Sequence, residues 1–512
     1  MNETICDILK ITPREIKRWA EENAVDSILP EIIKDLVLAS SSRLTRCNFL
    51  YGSCNNLPGL DGHVENQQEH PFVPIGESYW EIGCESSANS KANKDYVKRT
   101  LETEPELRKQ LTFVFVSPQI WKNRQKWETE KKQKKEWHDV RAISAVQLAE
   151  WINLYPSQQL NFAQRIKRWY PGATTLATEW EKWTYATKPS FPASFFDLDI
   201  ARHKKTFIEK ITANEASSLT IAADSFSEAY AFIYQMTQTD EFSNIRNRLV
   251  VFHTSEAAES MMKKEPEIIP ISADADVLAH SFSTCEVPIC IHVCSRNHPL
   301  LHPDIVLGKL PFYAIVDFAK CHKPRRNDLY TLAQNSGFNR SLYHQRLHFP
   351  PLTPTWVKDN SAHDVLLPLA MLGYWDKTDT VQNKLFLELV GSQLTTSDCH
   401  DKLAKISIQE HSPIWLQKSA FNRDTGAVWV VHSKEEILQI TVRSTLREEH
   451  IERWFIILRR VLTPNAQRAL QNHISQLLET TLMLILHTNQ WAPTQSQLFS
   501  DNATQLKLLP SL

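Results

Sequence analysis

Residues 111–117 read Leu-Thr-Phe-Val-Phe-Val-Ser, an apolar run without the polar alternation of a strand that keeps one face in water. A run of this kind is a strand buried on both faces, which sheets reach when helices cover them, so an α/β fold is expected around it. The flanking pattern agrees. Ile16, Trp19, Ala20, Ile28, Ile32, Ile33, Leu36 and Val37 recur at near-helical spacing over 13–40, and Thr12-Pro13 is a suitable helix start. After a loop-rich stretch, strands are expected near Gly62–Val64, Phe72–Pro74 and Ser78–Gly83, then a helix over Lys91–Leu101. A short strand at Val140–Ile143 and a helix over Ala145–Leu154 complete a mixed α/β block of roughly 150 residues.

The whole chain has 512 residues, more than one hydrophobic core serves, so several domains are expected. Its net charge of −2 supplies no global field for nucleic acid, and any such binding must come from local patches. The N-terminus lacks the basic and apolar segments of a secretory signal, and no apolar run reaches 18 residues. Nine scattered cysteines, an odd number, fit reduced thiols. A cytoplasmic protein without membrane association is expected.

Beyond the first block, residues 156–194 are punctuated by Tyr170-Pro171-Gly172, Lys188-Pro189 and Phe191-Pro192 and read as a linker. Strand patterns at Ser218–Ala222, Arg248–His253, Glu267–Ile271 and Val287–Cys294 alternate with helical ones such as Ser227–Gln238. They suggest βαβ units and a mainly parallel sheet over 195–325. Asp328–Leu347 has helix-turn-helix texture, with Arg340, Ser341, His344, Gln345 and Arg346 projecting from its second helix, within a module over 326–355. Residues 356–512 read as helical.

The chemistry-bearing residues concentrate between Gly59 and Lys98. Asp61 lies in a Gly-Leu-Asp-Gly turn and Glu81 in the apolar run Tyr79-Trp80-Glu81-Ile82, with a lysine-rich helix from Lys91 onward. Two carboxylates can hold Mg²⁺ against a phosphate oxygen, and an ammonium can orient or help deprotonate the attacking water. The bland alternatives are a turn aspartate bonding its own backbone, an edge-strand glutamate on a wet face, and an exposed i,i+4 pair of Lys91 with Asp95. His63 and His70 are poor ligands for hard Mg²⁺ and read as bystanders. The run from Trp121 to Trp137, with Lys122 and Lys126, is either a solvated helical face or a grip for phosphates.

Three segments carry a family resemblance: Pro58-Gly59-Leu60-Asp61-Gly62, the stretch from Phe72 to Gly83, and Lys91-Ala92-Asn93-Lys94-Asp95-Tyr96. With Phe113–Pro118 and Trp137–Arg141, they resemble the restriction-endonuclease-like PD-(D/E)xK nucleases, nearest the Mrr and CBASS-effector types of bacterial antiphage systems. The resemblance covers about residues 1–155. It implies a Mg²⁺-dependent endonuclease acting on double-stranded DNA, with Asp61 and Glu81 as metal ligands. The family's lysine commonly lies two residues after the glutamate, where this chain has Gly83. Lys91 is the expected catalytic replacement and Lys94 the second choice. Lys94, Lys98, Arg99, Lys122 and Lys126 are expected to hold DNA.

Residues 195–325 resemble a degenerate P-loop-NTPase-like core of the STAND kind, followed by a winged-helix-like module. No Walker A motif occurs: Leu219-Thr220-Ile221-Ala222-Ala223 runs into Asp224-Ser225-Phe226, without glycine or lysine, so neither ATP binding nor hydrolysis is expected. Cys290, His292 and Cys294, with Cys285 before them, could start a zinc site but lack a paired knuckle. The expected protein is thus a homo-oligomeric defence nuclease restrained until a phage-derived trigger or companion protein acts. The alternatives are a non-catalytic DNA-binding regulator and a phage-sensing scaffold.

Overall fold

The computed structural model describes residues 9–22, 25–41, 43–50, 59–213, 217–246, 248–279, 289–298, 302–350, 354–358, 360–391, 393–409, 411–418, 427–438, 447–462, 474–487 and 493–506. Pro58, Cys285, Val287 and Pro288 fall outside them. The chain divides into two units. One takes in Met1–Thr178 and Thr237–Pro270, the other Glu179–Met236, Ile271–Ala279 and Pro288–Leu512. Both are α/β, and among the described residues no helix is long and apolar enough to cross a membrane.

In the first unit, helices α1 (Pro13–Glu22) and α2 (Leu29–Ser40) precede strands β1 (Leu44–Phe49), β2 (Gly62–Asn66) and β3 (Gly76–Ile82). Helix α3 (Ala88–Glu102), strand β4 (Thr112–Val116), helix α4 (Arg124–Gln133), strand β5 (Asp139–Ile143) and helix α5 (Ala145–Leu154) follow. The sheet order is β1-β2-β3-β4-β5, antiparallel through β3 and parallel from β3 to β5. Every residue of β4 is buried, as its unbroken apolar text requires.

The two sheet faces are filled differently. Trp80 points to the face where Phe49, Phe72 and Trp151 pack, and the Trp151 indole N–H donates to Ser40 Oγ at 2.8 Å. The opposite face takes Ala88, Ala92 and Tyr96 of α3 against Phe113, Phe115, Trp127 and Trp137. Small residues one helical turn apart let α3 lie close over the sheet. Strand β1 replaces part of the loop-rich stretch, whereas Phe72–Pro74 form no strand.

The stretch expected as a linker is folded. Helix α6 (Pro156–Arg165) begins on proline, and strand β6 (Ala173–Thr175) pairs antiparallel with the strand Leu249–Phe252 inside the same unit. Helix α6 is unreadable from its text because Ser157, Gln158, Gln159 and Gln164 are buried polar residues. Glu265 accepts from the Ser157 backbone N–H at 2.9 Å and from its hydroxyl at 2.8 Å, and Gln164 Oε1 accepts from the Thr175 and Thr178 hydroxyls.

The second unit contains helix α7 (Asp197–Ile211), strand β7 (Ser217–Ala223), helix α8 (Phe226–Met236), strand β8 (Ile289–Ser295) and strand β9 (Ile305–Val306). Strand β7 lies parallel to both β8 and β9, as the alternating pattern predicts. Two short helices, α9 (Arg326–Asn335) and α10 (Arg340–Leu347), cover the stretch read as helix-turn-helix. The C-terminal region is largely helical around Trp356, Trp375, Phe386, Trp454 and Phe455. It also holds a three-stranded antiparallel sheet, Tyr374–Trp375, Val428–Val431 and Ile414–Gln417, where the sequence reading has only helix.

Candidate active site

The Gly62–Trp80 pair closes the β2–β3 ladder, so the next position places Asp61 across from Glu81. Residues directly opposed in an antiparallel pair share a face, with Cβ atoms about 5 Å apart. The two acids therefore stand side by side at one end of the sheet. Gly62 is needed there because a Cβ would lie 2.3 Å from the Phe49 ring.

Asp61 is no ordinary turn aspartate. Its Oδ2 accepts from the Ile82 backbone N–H at 2.8 Å, across the sheet. Burial raises its pKa and the Asp95 charge adds to that, opposed by the Ile82 hydrogen bond. Glu81 lies on the middle strand rather than an edge and is only 4 % exposed. Burial, with Asp61 and Asp95 nearby, pushes its carboxyl up to about 7 even though the Arg99 guanidinium binds it.

Helix α3 presents Lys91, Asp95 and Arg99 one turn apart along one side. Lys91 Nζ is 3.2 Å from Asp95 Oδ1. A Cβ at Gly83 would lie 2.6 Å from Lys91 Cγ and 2.7 Å from Phe115 Cζ. The Lys91 stem thus fills the space above the strand position where a lysine is absent. Burial opposes the Lys91 charge, but Asp95, Glu85 and Asp61 outweigh it and its pKa is raised. Lys91 is therefore an ammonium at neutral pH, fit to donate and not to accept a proton.

Asp95 and Arg99 depart from expectation. Lys91 and Asp95 do not form an exposed pair: Asp95 is 3 % exposed, and its Oδ2 has no hydrogen-bond partner. Arg99, expected on a DNA-facing surface, is buried and bridges Glu81, Glu102 and the Gly59 carbonyl. The signal in the sequence is the 91-95-99 spacing, which aligns all three on one side of a helix whose apolar side is already engaged.

Lys94, Lys98, Lys122 and Lys126 are exposed, on α3, on α4 and just before α4. The two helices touch through Trp127, whose indole N–H donates to Asn93 Oδ1 at 3.1 Å. Lys131, by contrast, is turned inward over the Tyr96 ring. His63 bonds Glu77 at 2.6 Å and His70 bonds the Tyr155 hydroxyl at 3.1 Å, so neither joins the acids.

As the side chains stand, no three His, Cys, Asp or Glu residues form a metal cluster among the described residues. Glu81 is turned onto Arg99. The donor set nonetheless suits a hard divalent cation. Three carboxylates face two cationic side chains, and one buried carboxylate oxygen is unmatched. Cys290, His292 and Cys294 share one face of β8 in the core of the second unit, where burial raises both thiols and pushes Cys294 to about 12.

Where a phosphate loop would follow β7, the second unit has an internal ion network. Glu228 Oε2 accepts from the Asp224 backbone N–H at 3.1 Å and from Ser341 Oγ at 2.8 Å. Its Oε1 pairs with Arg340 at 2.7 Å. Arg340 is fully buried instead of projecting from α10. It also pairs with Asp199 at 2.5 Å and donates to the Phe195 carbonyl. His344 is stacked on Trp183 at 3.7 Å.

No family model matches this chain, and no curated protein matches it either.

Proposed function

We propose that the first unit is a Mg²⁺-dependent endonuclease that cleaves phosphodiester bonds of double-stranded DNA. The observation carrying this reading is the opposition of Asp61 and Glu81 on one sheet face, with the Lys91 stem lying over Gly83. Asp61 and Glu81 would hold the ion. Bound there, Mg²⁺ supplies positive charge to a phosphate oxygen and acidifies a water. Lys91, kept protonated by Asp95, donates to the attacking water or to the phosphate and fixes the line of attack. In the cation-free site the Glu81 carboxyl titrates at about 7 and must lose its proton to take the ion, so Mg²⁺ binding tightens as pH rises through that value. Exposed Lys94, Lys98, Lys122 and Lys126 would hold the DNA backbone.

By its resemblance to antiphage nucleases, the protein acts as a cytoplasmic defence effector, a homo-oligomer released by a phage-derived trigger or companion protein. The second unit would then carry the restraint. A regulator that reads DNA through α10 is disfavoured, because Arg340 is spent inside the fold. The test is purified full-length protein with plasmid and Mg²⁺. Cleavage abolished by EDTA and by Asp61→Ala, Glu81→Ala or Lys91→Ala is the expected result. Intact plasmid with wild-type protein across pH 6–9 and in Mn²⁺ would overturn the reading.

A further inference from the structure

The third carboxylate beside Asp61 and Glu81 comes from a helix rather than a strand. Helix α3 sets Asp95 between Lys91, which covers Gly83, and Arg99, which binds Glu81. Its two oxygens are in different situations. Oδ1 is 3.2 Å from the Lys91 ammonium, while Oδ2 is buried without any hydrogen-bond partner. A buried carboxylate oxygen with no partner is costly, and native folds keep one where something else completes it. The Asp95 charge is felt by both Asp61 and Glu81, so it faces their end of the sheet.

We propose that Asp95 is the third carboxylate ligand of the divalent-cation site, with Oδ2 toward the ion and Oδ1 holding the Lys91 ammonium. This rests on the nuclease reading above and adds to it a physical link between the ion and the lysine. Asp95 fixes the ammonium at a set distance from the cation, so water orientation and metal binding are built on one side chain. Arg99 binds Glu81 in the cation-free state, and Glu102, half exposed on the next turn of α3, already holds the same guanidinium and keeps it paired when Glu81 turns to the ion.

Mn²⁺ binding to the full-length protein, followed by calorimetry and by the loss of the free-ion paramagnetic signal, tests this without reference to cleavage. Asp95→Asn keeps the shape and loses the charge, and is expected to weaken Mn²⁺ at least ten-fold, as does Asp61→Asn. Lys91→Gln removes a neighbouring cation and is expected to leave Mn²⁺ affinity equal or tighter while abolishing cleavage. A second readout is Tb³⁺ luminescence lifetime, in which Asp95→Asn adds one ion-bound water. If Asp95→Asn fails to fold, Asp95→Ser carries the same expectations.

Wild-type Mn²⁺ affinity and an unchanged Tb³⁺ water count in Asp95→Asn, with Asp61→Asn impaired, would overturn the proposal and leave the nuclease reading standing. No Mn²⁺ binding by the wild type would overturn both. Binding that depends on Asp61, Glu81 and Asp95, without cleavage of any DNA, would retain the site and sink the nuclease reading alone.

Discussion

Replacing Glu81 with glutamine should reverse part of the pH dependence of the first unit's stability. The folded carboxyl titrates at about 7, against roughly 4.5 in an unfolded chain. The folded state therefore holds the proton more tightly. Stability from this group is fully present below the unfolded value and is lost as pH rises through about 7. The difference in proton affinity corresponds to about 3 kcal/mol. The amide of the Glu81→Gln variant never ionises and lacks this slope. Arg99 stays charged throughout, and its attraction for the ionised carboxylate is already contained in the value of about 7, so only the loss of its hydrogen bond to the neutral carboxyl adds a constant offset. Buried Glu265, also raised to about 7, titrates in both proteins and cancels in the comparison. Glu81→Gln should thus gain on the wild type by about 3 kcal/mol between pH 4.5 and 8.5. For a unit of this size that is roughly 6–12 °C in the difference of unfolding temperatures. Differential scanning calorimetry of both full-length proteins across that range reads it directly, on the transition that the substitution moves. Parallel pH profiles would refute the reasoning, as would a variant that loses ground as pH rises, because Arg99 would then have outweighed burial.

Three further outcomes follow from packing and charge. Gly83→Ala drives a methyl against Lys91 and Phe115 and should cost about 1–3 kcal/mol in urea unfolding, with Lys91-dependent cleavage falling alongside. Arg340→Met strands Asp199 and Glu228 in the interior and should destabilise the second unit by about 3–5 kcal/mol by denaturant titration; an exposed arginine would cost almost nothing. Neutralising Lys94, Lys98, Lys122 and Lys126 together should leave the unfolding temperature within a degree or so of wild type. It should also flatten the salt dependence of DNA binding measured by fluorescence anisotropy.

What the sequence discloses follows from where apolar residues carry the pattern. Strand β4 and helices α3 and α5 bury unbroken or periodic apolar sets, so their text alone reveals them. Strand β1 does not: Leu44–Phe49 is mostly half-exposed or exposed, and what makes it a strand is pairing with β2 some twenty residues on. Helix α6 buries Ser157, which donates to Glu265, and Gln164, whose Oε1 accepts from Thr175 and Thr178, and polar burial leaves no hydrophobic period to read. In the candidate site, Asp61, Glu81 and Lys91 are legible from motif and spacing. The burial of Asp95 and Arg99 is not, because charged residues on a lysine-rich helix look solvated until the sheet beneath them is in place. Arg340 misleads for the same reason, since its partners Asp199 and Glu228 come from distant helices.

The carboxylate of Glu228 gives the second unit a built-in competitor. It sits on the Asp224 amide, the Ser341 hydroxyl and Arg340, the kind of donors a free anion would seek after β7. Being tethered, it binds these donors intramolecularly, at an effective concentration set by the fold rather than by diffusion. Arg340 also holds Asp199 and the Phe195 carbonyl through its other terminal nitrogen, so the loop after β7, α7, α8 and α10 meet in one buried network. One buried guanidinium thus ties α10 to α7 and α8, so a change at Arg340 is felt in three helices at once.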